Sequence, residues 1–309
     1  LKGLELCESF FFDIGAPMIA EKFPAYKDKI AVGLVGDGSE CFGFDDELSH
    51  DHDWGPSFCL WLTQQDYEVI GVSLQVEYDK LPMEYAGFKR QESTWGGGRT
   101  GVFEIGQFYK KFIGFDHIPA NVGEWRVIPE GNLAVATNGK VFIDVIGEFT
   151  AFRNKLKAFY PEDIRLKKIA SRCMNIAQLG QYNYPRCTKR REYVAAYYAE
   201  SQFISYIISM VYLLNKEYKP FYKWMHKDMR RLSILGDALY KLLLNLVTIH
   251  EVESGDRIYQ KKIQLIEEVS QYIIRELRRQ CLSDSESDFL LDHGPVIQSK
   301  IQDPQIRST

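Results

Sequence analysis

Between Gly36 and Leu62 the chain reads GDGSECFGFDDELSHDHDWGPSFCLWL, and several of its residue types could do chemistry together. Gly38-Ser39 offers closely approachable backbone amides and a hydroxyl, groups that can hold an anionic oxygen. Eleven residues separate Ser39 from the triplet Asp51-His52-Asp53. On an extended chain residues i and i+2 share a face, so Asp51 and Asp53 would project together and His52 away from them. Two such carboxylates repel unless a cation lies between them. Mg²⁺, a hard ion that takes carboxylate and phosphate oxygens, suits that place. Asp144 is a lone carboxylate in the apolar run Val141-Phe142-Ile143-Asp144-Val145-Ile146. An unpaired buried charge is costly, so Asp144 needs a partner: a metal shared with Asp51 and Asp53, or a core Arg or Lys.

These residues need elements to position them. Ile30–Val35 is short, apolar and β-branched, as a buried strand should be, and Phe58–Leu62 reads likewise after the Gly55-Pro56 break. Residues 4–22 show near-helical apolar spacing, with a break or a new turn expected at Gly15-Ala16-Pro17. Tyr67–Tyr78 fits helix or strand. Residues 79–126 read as an insertion over the catalytic face, and the glycine-rich Gly96-Gly97-Gly98-Arg99 stretch as a flexible loop or lid, because it lacks the Lys-Ser/Thr ending of a phosphate-binding loop. Leu133–Ala136 and Val141–Ile146, joined by Thr137-Asn138-Gly139-Lys140, predict a β-hairpin.

From Pro161 the texture is helical. Glu162–Leu179 should be a helix ended by Gly180, followed by a polar-aromatic loop Gln181–Arg186. Further helices are expected from about 189 to 215, from Lys219 onward, over 229–249 and 258–279, and around 289–301. The expected organisation is α+β: residues 1–155 form a mixed β-sheet with flanking helices, and 156–309 a helical bundle.

Composition narrows the class. Among 309 residues the formal net charge is -4, so no global basic field advertises nucleic acid or an anionic membrane. The six cysteines show no CxxC spacing and read as reduced core thiols of a cytoplasmic protein. The longest apolar stretch, Phe203–Leu214, falls short of the ~20 residues of a membrane span and reads as a buried helix.

Taken together, Gly38, Ser39, Asp51, Asp53 and Asp144 resemble the signature of the nucleotidyltransferase superfamily of the DNA polymerase β type. The helical half resembles that of aminoglycoside and lincosamide nucleotidyltransferases. The wording DELSHDHDWGP, GEFT, FYPED, QYNYPR and PFYKW is similar to an uncharacterised bacterial group of that superfamily. The resemblance implies transfer of a nucleoside monophosphate from a nucleoside triphosphate, ATP being the first expected donor, to an acceptor hydroxyl of a small, antibiotic-like molecule. It implies two Mg²⁺ ions held by Asp51, Asp53 and Asp144, with Asp144 as third ligand or general base. Gly38 and Ser39 would hold phosphate, and Lys223 and then Arg186 would supply cations to the triphosphate, with Lys189, Arg190 and Arg191 next. His50 and Asp45-Asp46-Glu47 read as surface. The alternatives are a regulatory or toxin–antitoxin-type enzyme acting on protein or tRNA, and a nucleotide-binding module without catalysis. No membrane or nucleic-acid partner is expected, and a homodimer is compatible with the sequence.

Overall fold

The strand residues Leu60 and Leu62 alternate with Cys59 and Trp61, yet all four are buried, so both faces of this strand must be covered. The computed structural model, which describes residues 1–51, 53–91, 97–249 and 256–308 (with the backbone alone at Asp51), shows how. The chain divides into two compact units, Leu1–Ala158 and Phe159–Thr309.

In the first unit, helix α1 (Gly3–Phe10) runs through a π-helical turn, Phe11–Gly15, into α2 (Ala16–Lys22). Of the break or new turn expected at Gly15-Ala16-Pro17 the second is found, since α2 starts at Ala16 with the proline in its first turn, where its missing N–H costs little. Strand β1 (Ala31–Leu34) follows, then β2 (Cys59–Leu62) and α3 (Gln64–Asp79), which settles Tyr67–Tyr78 as helix. The side chain of Thr63 accepts from the Asp66 amide and caps α3. A short hairpin of β3 (Glu84–Tyr85) and β4 (Phe88–Lys89) leads to β5 (Gly101–Glu104), α4 (Ile105–Ile113) and α5 (Val122–Val127). Then come α6 (Glu130–Thr137), β6 (Lys140–Ile143) and α7 (Glu148–Lys157).

The main sheet has the order β5-β2-β1-β6. β1 runs antiparallel to β2 and to β6, whereas β5 lies parallel to β2. Residues 79–126 are therefore more than an insertion, since they supply an edge strand of the sheet. On one face Leu60 and Leu62 join Phe10, Phe58, Leu74 and Val102 in a core under α1 and α3. On the other, Trp61 stacks on Phe149 with ring centroids 3.7 Å apart and meets Phe108 edge-on. Each fully buried leucine here contributes about 1.5–3 kcal/mol relative to exposure.

The expected hairpin over Leu133–Ile146 is not formed. Residues Glu130–Thr137 are helix α6, with Leu133, Ala134 and Ala136 buried, and only Lys140–Ile143 is strand. Asn138-Gly139 turns from helix to strand. Gly139 has φ 64°, and a Cβ there would stand 1.9 Å from the Leu34 carbonyl oxygen, so glycine is required by both conformation and space.

The second unit is helical. It comprises α8 (Glu162–Ile176), a π-helical stretch Ala177–Asn183, α9 (Tyr184–Lys189), α10 (Tyr193–Asn215), α11 (Tyr222–Met229) and α12 (Gly236–Thr248), followed by α13 (Asp256–Arg279), α14 (His293–Ser299) and α15 (Pro304–Ser308). Gly180 does not end a helix. The chain continues helically, and the missing side chain admits Phe203, whose ring would lie 2.4 Å from a Cβ at this position. Gln181–Arg186 is likewise helical rather than loop. The apolar run of α10 is a buried helix, and among the described residues no helix is long and apolar enough to cross a membrane.

Candidate functional site

The turn after β1 is held from two directions. The side chain of Asn138 accepts from the Gly36 amide at 3.0 Å and donates to the Gly36 carbonyl at 2.9 Å, and the Gly139 amide donates to the Cys41 carbonyl at 2.8 Å. The turn before β6 thus clamps the turn after β1. Within it Gly36 and Gly38 adopt φ 132° and 138°, and Ser39 leads into the 3₁₀ turn Glu40–Phe42. Among the described residues, no protein acceptor takes the amides of Asp37, Gly38 and Ser39, and the Ser39 hydroxyl has no protein partner. Successive free amides around a glycine turn make a concavity suited to an anion.

Arg99 closes this turn from the opposite side. Its guanidinium pairs with the Glu40 carboxylate and donates to the main-chain carbonyl of Asp53, and the Cys59 thiol donates to the Arg99 carbonyl at 3.4 Å. A Cβ on Gly38 would come within 2.5 Å of the guanidinium, so this glycine also makes room for the arginine. Glu40 is buried, and burial pushes its carboxyl above the usual range although Arg99 pulls it back. Burial would depress the Arg99 guanidinium, but Glu40 outweighs it and holds the group firmly charged. Sequence reasoning sought the phosphate-binding cations in the helical half and passed over Arg99. The signal available was an arginine ending a glycine run immediately before a strand.

Neither Asp51 nor Asp53 lies on a strand. Asp51 ends a 3₁₀ helix, Glu47–Asp51, and Asp53 has φ 51°, in the left-handed region. Strand β2 begins only at Cys59, because Trp54 forms an isolated bridge to Gln91 and the Gly55-Pro56 turn intervenes. The period-two argument that paired the two carboxylates and turned His52 away therefore does not apply. His52, Gly96 and the Asp51 side chain lie outside the described residues. Asp53 lines a cavity of about 300 Å³ together with Ser57, Tyr78, Arg90, Gln91 and Arg99.

Asp144 stands one residue beyond β6, beside the exposed Val145 and Ile146, rather than inside a buried strand. Its two carboxylate oxygens accept from the Gly147 and Thr150 amides, each at 2.8 Å, at the start of α7. The partner this charge needed is thus the helix N-terminus. Among the described residues no three His, Cys, Asp or Glu side chains are grouped to hold a metal ion. Magnesium commonly takes one or two carboxylates plus substrate phosphate and water. The residues present fit a cation held by Asp53 with substrate oxygens, and the backbone bonds of Asp144 take one lone pair on each of its oxygens.

Asp45, expected at the surface, is buried. It accepts from the Gly3 amide at 2.7 Å and from the Trp54 indole at 3.4 Å, anchoring α1. His50 stacks on Trp54, ring centroids 3.8 Å apart. Lys223 and Arg186 belong to the second unit, on α11 and α9. Lys223 is exposed with its ammonium 5.5 Å from the Trp224 ring, and the Arg186 guanidinium lies 3.9 Å over Tyr182. Neither pairs with a carboxylate among the described residues.

Residues 125–225, about a third of the chain, match the model of a domain of unknown function, DUF4037. No curated protein matches. A crystal structure of a nucleotidyltransferase-like protein from Exiguobacterium sibiricum is similar over 97% of this chain and 91% of that one, at 11% identity and a TM-score of 0.37. So distant a likeness adds no weight to a functional reading.

Proposed function

We propose that this chain is a Mg²⁺-dependent nucleotidyltransferase that moves a nucleoside monophosphate from a nucleoside triphosphate, ATP first among donors, to a hydroxyl of a small-molecule acceptor. One observation carries the reading: a half-buried arginine, Arg99, bonds both to Glu40 beside the open Asp37–Ser39 amides and to the carbonyl of Asp53 in the aspartate loop. An anion-binding turn and a carboxylate on a cavity are thereby held together.

In this reading the amides of Gly38 and Ser39 and the Ser39 hydroxyl hold the outer phosphates of the donor, and the Arg99 guanidinium offsets their charge. Asp53, with Asp51, would hold Mg²⁺, which when bound would supply neutralisation of the phosphate charge. The acceptor oxygen bonds to the α-phosphorus, the bond from that phosphorus to the β-bridging oxygen breaks, and pyrophosphate leaves. Most of the rate gain is positioning and charge neutralisation. We assign Asp144 the anchoring of α7 against β6. Lys223 and Arg186 remain candidate triphosphate contacts from the helical unit.

A second reading, nucleotide binding without transfer, is favoured by the engagement of both Asp144 oxygens. Binding is tested first. A non-hydrolysable triphosphate with Mg²⁺ at a hundred times Kd should stabilise the protein by about 2.7 kcal/mol, visible as a raised Tm. Asp53→Asn should lose most of that shift. A Tm unmoved by all four nucleotides would remove both readings.

A further inference from the structure

The second unit concentrates cations that the net charge of -4 conceals. Arg186, Lys189, Arg190 and Arg191 lie on and just after α9, and Arg257 and Lys261 on the first turns of α13; all six are exposed and none is ion-paired among the described residues. Elsewhere in this unit surface cations do find carboxylates, as Lys262 does with Glu200 and Lys241 with Asp237. Lys189, Arg191 and Tyr193 line a groove of about 490 Å³ together with Asp256, Tyr259 and Gln260, and Arg257 and Lys261 line an adjoining hollow that shares Asp256 and Gln260 with it.

Aromatic rings are interleaved with these charges. Tyr193 stacks on Tyr259 with centroids 5.3 Å apart, and Arg186 lies over the half-exposed Tyr182. One helical turn beyond Tyr193, on the same face of α10, Tyr197 is 74% exposed, and Tyr198 beside it 64%. Large exposed tyrosines at the N-terminal end of a helix that is buried without interruption only from Ile207 to Leu214 are not needed for the core. Among the described residues lining the groove and the adjoining hollow, Asp256 is the acid, against the four cations Lys189, Arg191, Arg257 and Lys261.

We propose that this face of the helical unit binds single-stranded RNA. A positive groove tracks the phosphate backbone, and open aromatic faces accept stacked bases without demanding a sequence. The phenol hydroxyls of Tyr193 and Tyr197 and the Gln260 side chain supply polar partners for ribose 2′-hydroxyls. A membrane surface would call for a broad exposed aliphatic face, whereas among the described residues of α9 and the first turns of α10 and α13 the large exposed aliphatic side chain is Val194. The inference is independent of the nucleotidyl-transfer reading, since it concerns other residues and is tested without nucleotide.

The test is fluorescence anisotropy of the whole chain with a labelled oligouridylate, without triphosphate or Mg²⁺. Contacts to about five phosphates weaken affinity roughly 10²-fold between 50 and 200 mM salt. The triple variant Lys189→Ala/Arg190→Ala/Lys261→Ala should lower the slope of log K against log salt by about 2. Tyr197→Ala should weaken binding about tenfold and leave that slope unchanged. These side chains are exposed, so the variants should melt with the parent. Full retention of binding by the triple variant would overturn the proposal. So would equal affinity for the matching DNA, a preference for duplex, or binding to anionic vesicles with none to RNA.

Discussion

Removing Arg99 should damage the first unit in a way that depends on pH. The guanidinium side chain is 17% exposed and its partner Glu40 5%, so Arg99→Ala leaves a carboxylate buried without its counter-charge. Breaking a buried pair from one side typically costs about 3–5 kcal/mol. The hydrogen bond to the Asp53 carbonyl adds about 1 kcal/mol. In the parent, burial already holds the Glu40 carboxyl above its ordinary 4.5, with Arg99 lowering it. In the variant it rises further. A carboxyl raised in the folded state stabilises below its unfolded value, and that contribution disappears as pH climbs through the folded value. The loss on mutation should therefore be about 5 kcal/mol at pH 7 and shrink towards pH 4. Adding Glu40→Gln to Arg99→Ala should restore much of the loss at pH 7 and abolish its pH dependence. Urea unfolding followed by tryptophan fluorescence is a suitable assay, since Trp54, Trp61, Trp95 and Trp125 belong to the first unit and only Trp224 to the second. A loss below about 1 kcal/mol, or one that is the same at pH 4 and pH 7, would refute the reasoning.

Three further outcomes test the turn and the thiols. Gly139→Ala should destabilise by more than about 2 kcal/mol in thermal melts, because a Cβ there would meet the Leu34 carbonyl oxygen at 1.9 Å; a change under half that value would show that β1 and β6 can separate locally. Asn138→Ala should cost about 1–3 kcal/mol, since it strips the buried Gly36 amide and carbonyl of their partners; an unchanged urea midpoint would show that water replaces the clamp. A thiol reagent at pH 8 should modify Cys281 in the native protein and spare Cys7, Cys41, Cys59 and Cys173 until urea is added. Burial pushes Cys7 and Cys59 up to about 12, so little thiolate is present; rapid native labelling of either would contradict the packing around Arg99.

Much of the architecture was legible in the residues. The β-branched run at Ile30–Val35 and the apolar run ending at Leu62 became β1 and β2, and the leucine stripes of 229–249 and 258–279 became α12 and α13. The readings that failed share a cause: a local signal was overridden by packing. Asn-Gly suggests a hairpin, but Leu133, Ala134 and Ala136 are equally good helix formers, and burying them against α4 and α7 decides for α6. Gly180 looks like a helix end until Phe203 occupies the space its side chain would fill. Asp144 looks stranded in an apolar run only while that run is taken for strand. Its two backbone partners become visible once α7 starts at Glu148. The Gly38-Ser39 turn was legible because glycine chemistry is local. Arg99 was not, because its meaning depends on Glu40 and Asp53, which reach it only through the fold. The surface cations near Lys189 were read as a lesser triphosphate site, and only the packing of α13 beside them shows a second group of charges in an adjoining hollow.

The claim that this chain transfers nucleotides is tested most directly by incubating it with Mg²⁺ and triphosphates labelled at the α- or the γ-phosphate. The acceptors are aminoglycosides, lincosamides, tRNA and the protein itself. The account predicts that α-label alone enters one acceptor, the small-molecule pool first, with pyrophosphate released in equal amount, and that Asp53→Asn abolishes the transfer while melting normally. Transfer of γ-label, or α-label transfer undiminished in Asp53→Asn, would contradict it.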